Sequence, residues 1–131
     1  MDIVLDASAF IAVIADEPES DKVINLTQNA IIISPNIISF EITNSLTRMM
    51  RKGIIKNKKE MIDLIRSFQK IPIKLVENNL EDVIEIAWAY KIYAYDAFYL
   101  ETAKKLNIPL LTFDTGMQNI GIELGITVLG G

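Results

Sequence analysis

Residues 95–114, YDAFYLETAKKLNIPLLTFD, decide how the chain folds. Three, four, seven and ten residues after Asp96 come Tyr99, Leu100, Ala103 and Leu106, an apolar stripe at helical spacing. Beyond Pro109 the pattern changes to a short apolar run, LLTF, which ends at Asp114. The spacing predicts a helix over 95–107 feeding a buried strand, with one acid on the helix and another just past the strand. Asp96 falls on the stripe that turns toward the core. A buried carboxylate without a partner is costly or gives up its charge, so the fold has to supply a compensating cation.

The same alternation runs outward through the chain. Apolar runs at DIVL (2–5), IIIS (31–34, stopped by Pro35), IKLV (73–76), LLTF (110–113) and ITVL (126–129) read as strands. Helical spacing starts at Ser8 and recurs from Glu19 to about Asn29. It appears again through Ile38, Ile42, Leu46 and Met49 up to Gly53, from Lys58 to Gln69, and over 80–91. The segment after Asp114, DTGMQNIGIELG, reads as a short helical turn. Strands alternating with helices predict an α/β fold, a central parallel sheet of about five strands with helices on both faces.

Composition narrows the chemistry. The 131 residues are 50% hydrophobic and 23% charged, which fits one domain over 1–131 with no linker or repeat. There is no cysteine and no histidine. Thiolate nucleophiles, imidazole bases and Cys- or His-ligated metals are thereby excluded, and catalysis would have to run on carboxylates, hydroxyls, amines or an oxygen-held metal. The early run IVLDASAFIAVIA is interrupted by Asp6 and has no basic residue before it, unlike a signal peptide; the expectation is a cytoplasmic protein with no membrane contact. Net charge is −4, yet residues 48–59 hold six bases and no acid, with Arg48, Arg51 and Lys52 as candidate RNA-binding residues. Bases also belong near a helix end such as Gly53, so that run has an ordinary reading as well.

The acids fall where a parallel sheet binds ligands, beyond the carboxyl ends of its strands. Asp6 follows the first strand and Asp114 the fourth. Glu41 lies early in the helix after the second strand, and Asp96 begins the helix before the fourth. Each has a plainer alternative: Asp6 and Asp114 as helix caps, Glu41 paired with Arg48, Asp96 capping its helix or paired with a lysine. Gathered in one pocket, four carboxylates would need a multivalent cation, and oxygen donors alone favour Mg²⁺ or Mn²⁺.

Taken in order, IVLDASAFIA with Asp6 and Ser8, SFEITNSL with Glu41 and Asn44, and YDAFYLETAKKLNIPLLTFD with Asp96, Thr112 and Asp114 resemble the PIN domains, and within them the VapC-type ribonuclease toxins. The resemblance covers essentially the whole chain. It implies a three-layer α/β/α sandwich and a Mg²⁺-dependent endoribonuclease, with Mn²⁺ as substitute. Asp6, Glu41, Asp96 and Asp114 would be its catalytic, metal-binding acids. Ser8, Asn44 and Thr112 match the polar positions around that quartet; where many relatives carry a further acid or Asn, this chain has Gln118 and Asn119. The partners implied are an RNA substrate, a cognate antitoxin and a second copy in a homodimer. The apolar residues Ile54, Ile55, Met61, Ile62 and Ile65 offer surface for a protein partner or pack in the core.

Three other functions compete. One is a catalytically silent module that keeps the PIN fold for protein contacts, against which the intact Asp6, Glu41, Asp96 and Asp114 argue. A PIN nuclease of ribosomal RNA maturation would carry the same residues. A signalling receiver domain has a similar size and an acidic Mg²⁺ pocket, but it needs an aspartate after the third strand and a late lysine. Here Glu77 and Asn78 follow IKLV, and no base occurs after Lys105.

Overall fold

The computed structural model describes residues 1–131. Five strands, β1 (Asp2–Leu5), β2 (Ile31–Pro35), β3 (Lys74–Val76), β4 (Leu110–Leu111) and β5 (Val128–Leu129), form one sheet. Their order is β3-β2-β1-β4-β5, and every pairing is parallel. The central strand β1 is buried along Ile3, Val4 and Leu5, as an apolar run covered on both faces should be. Seven helices connect the strands: α1 (Ala7–Ile14), α2 (Ser20–Thr27), α3 (Ile38–Arg51), α4 (Lys58–Gln69), α5 (Leu80–Tyr90), α6 (Ala94–Leu106) and α7 (Thr115–Glu123). Helix α1 packs against α2, α3 and α4, whereas α6 packs against α5 and α7, so two helical layers enclose the sheet. The chain steps from β1 to β2 to β3 in one direction and returns to β4 and β5 on the other side of β1. That reversal leaves a crevice at the carboxyl ends of β1 and β4, the usual ligand position in such sheets.

Three local features depart from the sequence expectations. Strand β2 includes Pro35, whose missing N–H does not end the pairing with β3 because Asn36 N donates to Val76 O at 3.2 Å. Strand β4 is only two residues long, since the backbone N–H of Thr112 makes the last sheet bond, to Leu129 O, before the chain turns. The segment after Asp114 is a nine-residue helix rather than a turn. Its Gly121 is a packing requirement: a Cβ there would lie 2.7 Å from Val128 Cγ2, so glycine lets α7 approach β5. Of the five apolar residues offered as partner surface, Ile55 is buried and Met61 and Ile65 pack on the core, while Ile54 and Ile62 stay exposed. No helix is long and apolar enough to cross a membrane.

Candidate active site

Asp6 leaves β1 in extended conformation and caps α1. Its Oδ1 accepts from Ser8 Oγ at 2.6 Å and Ala9 N at 3.1 Å, and its Oδ2 accepts from Thr112 Oγ1 at 2.5 Å. Both hydroxyls are themselves acceptors, Ser8 Oγ from Phe113 N at 3.2 Å and Thr112 Oγ1 from Asp114 N at 3.1 Å. Backbone donors on the β4–α7 connection thus orient two hydroxyls, and the hydroxyls fix one carboxylate. Asp6 is 5% exposed. Burial raises its pKa, the Ser8, Thr112 and Ala9 bonds oppose the rise, and the charge of Asp114 adds to it.

Asp114 begins α7, its Oδ1 accepting from Met117 N at 3.0 Å. The plainer alternatives for Asp6 and Asp114 are therefore real, and both caps also place a carboxylate at the crevice. For the other two acids the plainer alternatives are absent. Asp96 lies in the first turn of α6 but makes no capping bond, and no ion pair joins it to a lysine or Glu41 to Arg48. The two ion pairs of the protein are Lys59–Asp63 and Lys105–Glu101. Asp96 is half-buried, and its pKa is pushed up to about 6 by burial first, then by the charges of Asp114, Glu41 and Asp6.

These four acids line a single cleft of about 680 Å³ together with Ser8, Ser45, Tyr99, Arg48 and Lys52. Thr112 stands behind Asp6 as one of its hydrogen-bond donors. Asn44 faces a neighbouring polar concavity with Thr47, Arg48, Arg51 and Lys52, so it does not line the acidic cleft. Four polar residues of the lining escaped sequence reasoning. Ser45 lies one helical turn after Glu41, but so does Asn44, and spacing does not choose between them. Tyr99, one turn after Asp96, looked like ordinary core. Glu17 and Glu19 also line the cleft, from the bend between α1 and α2, where no periodicity marks them. Gln118, adjacent in sequence to the acids, turns inward and donates from Nε2 to Thr112 O at 2.8 Å.

Tyr99 is 1% exposed, and its hydroxyl is the single buried side-chain N or O atom without a hydrogen-bond partner. Such an orphan costs about 1–3 kcal/mol. The hydroxyl lies close enough to Glu41 to feel its carboxylate as an acceptor, but the contact falls short of full hydrogen-bonding geometry. Burial first, then Glu41 as both a charge and a nearby acceptor, then the charges of Asp6 and Asp96, hold the phenol far above its usual range, so it stays a neutral donor.

No three of these carboxylates close into one coordination sphere at direct ligation distance. They surround the cleft instead, and Asp6 already spends both oxygens on protein donors. The donor set still fits a divalent cation that keeps much of its water: it offers oxygen alone, as Mg²⁺ and Mn²⁺ prefer. The charge at Asp96 is uncompensated, and Tyr99 has a hydrogen bond unmade.

The family model described as PIN domain matches residues 3–123. Ribonuclease VapC3 of Pyrobaculum aerophilum is 25% identical over 118 residues, spanning 87% of this chain and 90% of that protein. Among solved structures, VapBC2 from Rickettsia felis, bound to a DNA fragment from its promoter, superposes with a TM-score of 0.71 at 14% identity, covering 98% of each chain. FitAcB from Neisseria gonorrhoeae superposes with a TM-score of 0.66 at 18% identity, covering 97% of this chain and 96% of that one.

Proposed function

The chain belongs to the PIN domain family, and from that membership we propose that it is a divalent-metal-dependent endoribonuclease, the toxin of a toxin–antitoxin pair. One observation carries the reading: Asp6, Glu41, Asp96 and Asp114, from four separate segments, line one cleft with no ion pair among them. The mutual repulsion of such a cluster is relieved by protonation of one member or, at neutral pH, by a cation that enters the cleft. Similarity to Ribonuclease VapC3 supports RNA as substrate, and the likeness to VapBC2 supports a protein partner.

Asp6, Asp96, Glu41 and Asp114 are the residues that would hold the cation, Mg²⁺ or Mn²⁺. When bound it supplies charge to offset the phosphate and makes water more acidic. The chain's own residues do the rest. Asp6, braced by Ser8 and Thr112, is the fixed reference of the site. Asp96 would hold the cation with Asp6, and another carboxylate of the cleft, Asp114 or Glu41, would orient or deprotonate the attacking water. Arg48 and Lys52 on the cleft wall, continuing to Arg51 beside them, attract the RNA backbone toward acids that would otherwise repel it. The antitoxin would seat an apolar helix against Ile11, Met49 and Ile54 of the cleft and direct a basic side chain at the acids.

The test is incubation of the purified protein with structured RNA and Mg²⁺, with and without EDTA, beside the Asp96→Asn variant. Cleavage that needs Mg²⁺ and Asp96 is expected. Cleavage that survives EDTA overturns the metal dependence, and none with either Mg²⁺ or Mn²⁺ overturns the nuclease reading. Growth arrest on expression, relieved by the product of an adjacent small gene, separates a toxin from a ribosomal RNA maturation nuclease.

A further inference from the structure

The unpartnered Tyr99 hydroxyl calls for an occupant. A phenol can be buried in a core, but its polar end then normally finds a partner. Tyr99 does not, although its oxygen sits among carboxylates, the best acceptors in the protein. Of these, Asp6 has both oxygens occupied and Asp114 is tied to the start of α7. Asp96 is carried by the same helix, only three residues before Tyr99. Glu41 differs from all of them. It comes from another helix, is half-exposed on the longest side chain of the four, and its approach to Tyr99 stops short of full hydrogen-bonding geometry. It is also the acid whose charge Tyr99 feels most strongly.

We propose that Tyr99 is a positioning residue for Glu41: once positive charge enters the cleft, the Glu41 carboxylate is drawn inward and accepts a hydrogen bond from Tyr99 Oη. Without that charge Glu41 is repelled by Asp96, Asp6 and Asp114, and the bond stays unmade. The orphaned hydroxyl is then half of a contact that the bound cation completes. This role rests on the metal-dependent reading above and adds to it the group that selects one conformation of a flexible acid. It also explains why a site lacking three acids at direct ligation distance can tighten around an ion, since Glu41 is the member free to move.

The experiment is a titration of the full-length protein with Mn²⁺, followed by calorimetry and by the electron paramagnetic signal of the free ion. It compares wild type, Tyr99→Phe, Glu41→Gln and the double variant. Tyr99→Phe keeps the ring and removes the orphan, so its thermal midpoint is expected to equal or exceed wild type. Its Mn²⁺ affinity is expected to fall about 10-fold or more, the usual cost of losing a group that orients a metal ligand. In the double variant the Tyr99→Phe change should add almost nothing to Glu41→Gln, because both remove the same contact. Wild-type affinity retained by Tyr99→Phe, or losses that simply add, overturns the proposal. Wild type that binds no Mn²⁺ at all overturns the metal-dependent reading itself, a separate failure.

Discussion

Helix α6 carries two acids five residues apart, Asp96 in its first turn and Glu101 near its middle, and the protein treats them in opposite ways. Glu101 is 3% exposed and well supplied with donors at one oxygen. Its Oε1 accepts from Asn78 Nδ2 at 2.9 Å and from Asn79 N at 3.2 Å, with Lys105 Nζ 3.6 Å away. The same Asn78 amide reaches Phe98 O and Thr102 Oγ1, both at 2.9 Å, so this acid staples the β3–α5 connection to α6. Asp96 is less buried, yet no donor satisfies it and three acids face it. Burial alone therefore does not mark a functional carboxylate. What separates the two is whether the fold supplies donors where the charge is, and at Asp96 it supplies more negative charge instead.

The comparison breaks if the two acids respond alike to substitution. Asp96→Asn is expected to lower RNA cleavage by on the order of 10³-fold, as loss of a group acting on the reacting phosphate does, while the fold persists. Glu101→Ala is expected to do the reverse. It leaves Asn78 and the Asn79 N–H partly unpaired in a buried site, destabilising by about 2–4 kcal/mol. Cleavage per folded molecule should stay near wild type. Single-turnover cleavage beside urea unfolding of the same samples checks both. Full activity in Asp96→Asn, or lost activity in a folded Glu101→Ala, removes the distinction.

That distinction was half legible in the sequence. The facing of Asp96 followed from Tyr99, Leu100 and Ala103, because helical periodicity is local. The five-strand parallel sheet followed for the same reason, from short apolar runs alternating with helices. Glu101 could not be recognised as a staple, since its donors Asn78 and Asn79 lie more than twenty residues away in a loop without periodicity. Glu17 and Glu19 were hidden for a similar cause: the bend after α1 brings them to the cleft, and bends have no repeating pattern. Asn44 and Ser45 show the limit from the other side. A helix turns 100° per residue, so adjacent positions face different cavities, and only the structure assigns which.

A smaller effect sharpens the contrast through pH. In the folded protein Asp96 holds its proton up to a pKa of about 6, against a reference value of 3.8. Between pH 4 and 6 unfolding releases that proton, so the contribution of Asp96 to stability is lost as pH rises through this window. At pH 7 the ionised group is a net cost of about 1–2 kcal/mol, after allowance for the solvent reaching a half-exposed side chain. Asp96→Asn should accordingly unfold at higher urea than wild type at pH 7, with the gap closing near pH 4. Burial raises the pKa of Asp6 in the same direction, and that part remains in both proteins. Stability that instead favours wild type at pH 7 would mean Asp96 has found a donor, as Glu101 has.

The smallest effect concerns Lys105, the basic neighbour of Glu101. At 3.6 Å from Oε1 and 40% exposed, with its Nζ donating to Glu77 O at 2.8 Å, Lys105 resembles a surface ion pair more than a buried one. If Glu101 is held by the Asn78 amide and the Asn79 N–H, Lys105→Met should cost no more than about 1 kcal/mol in urea unfolding and leave cleavage unchanged. Asn78→Ala should cost more, because it removes the amide that reaches Glu101, Thr102 and Phe98 together. A reversed order would make Glu101 an acid neutralised by a base. The lesson of α6 would then concern paired against unpaired charge, and the neutral donors around Glu101 would matter less than the lysine one turn away.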